Sequence, residues 1–175
     1  SKKIFKNWDL YTNGNNINAA LPILSFAKVI DVSPDKIKDD IIIELIKNAI
    51  SILTNNYNNL NVEWFKINRL IRGNTNLPVQ GAPDVPRAIY GIPTKDGQLK
   101  AIAGDCYILL VQWNKDGESF SESIHQYGSA TSNSSSKHFD DQCDLFSKEK
   151  FKSISINKYE IVNNAANVII LDKEV

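Results

Sequence analysis

Between Ser129 and Gln142 the run SATSNSSSKHFDDQ gathers serines, His138, Asp140, Asp141 and Gln142 in one short polar stretch. Serine, histidine and aspartate are the residue types of a nucleophile, its general base and the group that orients that base. Such constellations are assembled by folding distant segments together, and residues adjacent in one loop rarely acquire the geometry of a proton relay. The competing expectation is structural: His138, Asp141 and Gln142 hydrogen-bond loop backbone and pin it to neighbouring strands, because loop polar groups need partners once covered. The structural expectation is preferred. A metal site on His138, Asp140 and Asp141 is disfavoured, since adjacent carboxylates usually diverge and His125 would have to swing in from the preceding segment. Cys106 and Cys143 are too few and too far apart for a metal cluster or a disulfide framework, although a single bridge between them stays open.

Two other groups of residues invite chemistry. Arg69 and Arg72 could hold a carboxylate, but arginines in such settings more often bind structural carboxylates or backbone carbonyls. Ser1, if its α-amine is free, could be nucleophile and base in one residue. The following KKIFKNW has no glycine signature for an oxyanion hole, so Ser1 is read as the first residue of a shortened chain or an expression remnant. The absence of any methionine points the same way. No phosphate loop, dinucleotide fingerprint, CxxC pair, HExxH or GxSxG occurs.

Elements must position these residues. Asn15–Ile30 has helical spacing with Pro22 in its first turns. Ser33-Pro34 is a helix start signal. In Asp39–Tyr57 the apolar stripe Ile42, Leu45, Ile46, Ala49, Ile50, Leu53 and Tyr57 predicts a packing helix, and Ile41, Ile43 and Ile52 predict that it buries more than one face. Residues 61–86 mix aromatics, arginines, glycines and prolines, a composition suited to an extended connector. Two Asp-Gly turns, at TKDG and NKDG, separate strand-like runs and predict an antiparallel meander. Tyr107–Val111 lacks alternation and is expected to be covered on both faces. The next strand is expected nearer an edge, with Phe120, Ile124 and Tyr127 inward. Short helices at DQCDLFSKEKF and from Asn157, a strand at FKSISIN and a last strand at NVIILD complete the chain.

Helices first and mostly strands afterwards define an α+β fold. The 175 residues are read as one incomplete domain, with a mainly helical part over 1–60, the connector over 61–86 and a mainly β part with short helices over 87–175. Lys+Arg and Asp+Glu both number 20, so no long-range field favours nucleic acid or anionic lipid, and no apolar run is long enough to span a membrane.

Six stretches, NWD at 7–9, EWFKINRLIRG at 63–73, LPVQGAP at 77–83, AGDCYILLVQW at 103–113, DGESFSESIHQYGSA at 116–130 and SKHFDDQCDLF at 136–146, resemble in order and spacing the C-terminal part of the penicillin acylase family. The residues carrying the resemblance are Trp64, Arg69, Arg72, Gly104, Asp105, Tyr127, Gly128, His138, Asp141 and Gln142. Cys106 stands where the family usually has serine, Ser129 where it has glutamine, and Lys137 replaces a proline. The resemblance implies an N-terminal-nucleophile hydrolase with an αββα sandwich, self-cleaved into α and β subunits. Its catalytic serine, oxyanion asparagine and calcium ligands all lie outside this chain, which therefore has no catalytic residue and no cofactor of its own. It further implies a bacterial periplasmic or secreted enzyme acting on acyl-homoserine lactones or penicillins, with the rest of the β subunit and the α subunit as partners. The alternative is a non-catalytic module recognising a glycan or a protein.

Overall fold

The structure, a computed structural model, describes residues 2–27, 29 and 32–166. Its N-terminal part is helical: α1 Lys2–Asn7, α2 Ala20–Phe26 and α3 Asp39–Tyr57. α2 is shorter than the expected Asn15–Ile30. Asparagines compete with helical hydrogen bonding, and the Asn16 side chain instead donates to Asp9 Oδ1 (2.8 Å) and the Tyr11 carbonyl (2.9 Å), while its Oδ1 accepts from the Asn18 N–H. Pro22 sits in the first turn of α2, where no intrahelical donor is lost. Ser33-Pro34 opens only a 3-10 turn, Pro34–Lys36.

α3 starts with Asp39 and Asp40 against the positive end of its dipole. It stops at Asn58, whose left-handed φ of 49° lets its N–H reach the Thr54 carbonyl. Ala49 and Leu53 are buried, but Ile41 and Ile43 are 40% and 52% exposed. The second face expected to be buried is thus open among the described residues. α1, α2 and α3 share one core with Val62, Trp64, Ile67 and Ala82.

Residues 61–86 are not an extended connector throughout. They contain a helical turn, α4 Trp64–Ile67, and a hairpin, β1 Asn68–Arg72 with β2 Thr75–Pro78. Arg72 pairs with Thr75, leaving Gly73-Asn74 as the turn, and Gly73 supplies the positive φ of 56°.

Both Asp-Gly hairpins form: β3 Ile89–Pro93 with β4 Leu99–Gly104, and β5 Tyr107–Trp113 with β6 Ser119–His125. They do not join into one meander. The first sheet has the order β2-β1-β4-β3, with β1 and β4 parallel, and the second has β5-β6-β7, where β7 is Lys152–Ile154. The chain leaves the first sheet at Gly104, whose φ is +120° and where a Cβ would lie 2.0 Å from the Ala88 carbonyl oxygen. The Asp105 N–H then donates to that same oxygen at 2.8 Å.

This split reverses two expectations. β5 is an edge strand with Leu109, Leu110 and Val111 each close to half exposed, and β6 is central. Ile124 is buried, but Phe120 is exposed and Ser121 faces inward, its hydroxyl donating to the Ile154 carbonyl. A second core joins Leu70, Val79, Ile89, Ala101 and Ile124 to Cys143 and Phe146 of α5, Cys143–Ser147. α6, Lys158–Asn164, opens at Asn157, whose Oδ1 accepts from the Tyr159 and Glu160 N–H groups. The final strand expected at 167–172 lies outside the described residues. The observed class is α+β, and among the described residues no helix is long and apolar enough to cross a membrane.

Candidate functional site: a clasp at the end of β6

β6 ends at His125, and the loop after Gly128 turns back on it. The Ala130 N–H donates to the His138 carbonyl (3.0 Å), and the Gln142 N–H to the Tyr127 carbonyl (2.9 Å). Gln142 also accepts through Oε1 from the His125 N–H at 3.1 Å, so one residue ties both ends of the loop to β6. Gly128 is required by close approach: a Cβ there would lie 2.1 Å from the His138 carbonyl oxygen and 2.7 Å from Asp141 Oδ1.

Arg72, at the end of β1, holds the loop from the other sheet. Its Nε donates to the Phe139 carbonyl at 2.7 Å, and a terminal nitrogen lies 3.4 Å from the Ala130 and 3.3 Å from the Thr131 carbonyl oxygens. The guanidinium carbon is 4.0 Å from the Phe139 ring centre and 4.5 Å from that of Tyr127. A planar, delocalised cation suits both tasks, with Nε and one terminal nitrogen committed to carbonyls.

The His138 ring contacts Asp141 Oδ2 through Nδ1 at 2.9 Å and is half exposed. Ser136, the closest serine in sequence, meets the backbone N–H of His138 and not the ring. The neighbouring carboxylate points elsewhere: Asp140 Oδ2 accepts from the Thr75 hydroxyl at 2.6 Å. Asp140 therefore does not join the pair His138 and Asp141, and among the described residues no group of three His, Cys, Asp or Glu could hold a metal ion. His125 does not swing toward them; its Nδ1 accepts from the Tyr127 N–H.

Burial shifts two groups beneath the clasp. The Cys143 thiol is pushed up to about 11, first by desolvation and then by the carboxylate of Asp140. The Tyr127 hydroxyl, which donates to the Ala101 carbonyl, is also raised by burial, with Arg72 opposing. Cys106 is exposed, Cys143 is buried, and the two thiols are free.

The remaining signature residues lie apart from the clasp. Trp64 is fully buried and its Nε1 donates to the Gly81 carbonyl at 2.8 Å, which also receives the Asn68 side-chain amide at 3.0 Å. Arg69 binds the Phe65 and Asn76 carbonyls. Gly104 and Asp105 form the crossing between sheets. The residues thus serve three separate structural joints. Sequence reasoning missed Thr75 and Arg87, which bonds Glu149 and the Phe146 carbonyl, because their partners lie far along the chain, and Asn68, whose amide bonds the Val79 and Gly81 carbonyls inside the stretch read as a connector.

A sequence model of the penicillin amidase family matches residues 8–163, a span that contains all three joints. The chain belongs to the penicillin amidase family. Membership places it among acylases, hydrolases of amide bonds. Comparison with curated proteins gave no match. Within this family domain the histidine-bearing loop is bonded as a structural clasp.

Proposed function

We propose that the chain is the C-terminal part of the β subunit of an amide hydrolase whose nucleophile is supplied by sequence outside it. The observation carrying this reading is the clasp. In a chain matched to an acylase family, the most reactive-looking loop spends Arg72, Gln142 and the His138 carbonyl on backbone bonds and presents no serine to its imidazole.

In the intact enzyme an N-terminal serine, activated by its own amine, attacks the amide carbonyl, and the amine leaves. Water then hydrolyses the acyl-serine ester. The substrates proposed are N-acyl homoserine lactones or penicillins, in the bacterial periplasm or outside the cell. The two sheets and six helices among the described residues support that machinery, which the remaining β subunit and the α subunit complete. Exposed Ile41 and Ile43 on α3 and Tyr90, Ile92 and Ile102 on the first sheet offer them apolar surface. Calcium, where the enzyme carries it, is held by ligands outside this chain.

The test is hydrolysis of acyl-homoserine lactones and phenylacetyl amides by the product of the complete gene, beside a variant lacking the nucleophilic serine. Release of amine by the first and not the second is the expected result; no turnover on any acylated amine counts against the reading.

A second reading, a glycan-binding module, is favoured by an open groove of about 1020 Å³ in which Phe120 lies among Gln112, Asn114, Glu118 and Ser153. Oligosaccharide binding lost on Phe120→Ala, with no amidase in the complete protein, would select it.

A further inference from the structure

β5 pairs with β6 so that Tyr107 faces His125 and Trp113 faces Ser119. Just beyond its ends, the Cys106 carbonyl accepts from the Gln126 N–H at 2.7 Å, and the Asn114 N–H donates to the Glu118 carbonyl at 2.9 Å. In an antiparallel ladder, residues bonded to the partner alternate with residues whose N–H and C=O point away. Ile108, Leu110 and Gln112 therefore bond β6, while Tyr107, Leu109, Val111 and Trp113 turn their backbone groups outward. Among the described residues no strand pairs with this edge. The sequence YILLVQW carries no charge, proline or glycine, and its register has no irregularity, so among the described residues none of the usual devices that blunt an edge is present.

We propose that β5 pairs antiparallel with β5 of a second copy of this chain, about a two-fold axis at Leu110. This register joins Tyr107 to Trp113 of the second copy and Leu109 to Val111 of the second copy, aromatic with aromatic and aliphatic with aliphatic. Every outward N–H and C=O of both strands is then satisfied. Sliding by two residues in either direction strands Tyr107 or Trp113 without a partner. The same register brings Lys115, in the turn after β5, alongside Asp105 of the second copy, which gives a complementary charge pair at each end of the joint. Because the interface is isologous it closes as a dimer. The opposite sheet edge, β7, is a three-residue strand beginning with Lys152, a poor site for further growth. The pairing is a property of this 175-residue chain; in the intact acylase proposed above the remaining β subunit would compete for the same edge.

Sedimentation of the full chain across the micromolar range tests it, and a reversible monomer–dimer equilibrium is expected. Val111→Pro removes an outward donor while sparing the ladder to β6, so the variant should be monomeric with an unchanged melting temperature. Leu109→Lys gives the same outcome by charge if the proline variant fails to fold. In a Cys106→Ser background, Leu110→Cys should cross-link under mild oxidation, because facing residues of a non-bonded pair lie about 4.5 Å apart, within disulfide range. Leu109→Cys, facing Val111 of the second copy, should not. Lys115→Glu should weaken the dimer roughly tenfold through two like-charge contacts, and adding Asp105→Lys should restore it. A chain monomeric at every concentration, a dimer indifferent to both edge variants, or cross-linking at position 109 in place of 110 overturns the proposal. So does dimerisation only after removal of residues 167–175, which would mean that the chain covers its own edge.

Discussion

Arg72 lies against two aromatic rings and three carbonyls in one position, and lysine can reproduce neither the planar stack nor the forked donation. Arg72→Lys should therefore lower stability by about 2 kcal/mol, measured by urea unfolding of the chain, with lost charge-assisted hydrogen bonds as the main cause. Gly128→Ala should be comparably costly, since the His138 carbonyl must move to admit the methyl group. Cys143 provides a pH signature. Burial raises its folded-state pKa from 9.0 to about 11, so the neutral thiol is the form the fold accommodates. The contribution is fully present below about 9 and is lost as pH rises through about 11. Unfolding midpoints should fall across that window more steeply for the parent chain than for Cys143→Ala. At this scale, of the three side chains expected to bond loop backbone only Gln142 does, through Oε1 to the His125 N–H, while those of His138 and Asp141 bond each other. The bond from Thr75 to Asp140 was not legible, because nothing local marks residues brought together only by folding.

Elements were legible where a local signal decides them. α3 begins and ends where its apolar stripe does, α6 opens on the Asn157 cap, and both Asp-Gly turns close hairpins. The hairpin β1–β2 was hidden by the prolines around it, although Gly73-Asn74 between Arg72 and Thr75 is a two-residue turn of an ordinary kind. Burial was the weakest inference. An unbroken apolar run such as Tyr107–Val111 reports that a strand is apolar, not that this chain covers it. The same holds for the outer face of α3, which yields a contrast: Leu53→Ala should cost about 2 to 4 kcal/mol, as for other buried leucines. Ile43→Glu should change stability of the isolated chain by less than about 0.5 kcal/mol, because its side chain is 52% exposed. Thermal or urea unfolding of the two variants side by side checks both.

For the molecule as a whole, two cores meet along the β1 strand and α4, one helical and one between the sheets, and the family match runs across both. The α+β class was readable from the order of helices and strands. The division into two sheets was not, because both hairpins carry the same Asp-Gly turn signal and nothing local says that the chain leaves the first sheet at Gly104. On the proposed reading, this chain supplies an acylase scaffold whose histidine-bearing loop does no chemistry. The most direct measurement is incubation of the purified chain with a phenylacetyl amide and an activated phenylacetyl ester, followed by amine release and intact-mass analysis. Neither turnover nor a covalent acyl adduct is expected, and the same silence is expected of His138→Ala. Amide turnover with an adduct on Ser1 or on a serine of 129–136, abolished by His138→Ala in a variant that still folds, would contradict it.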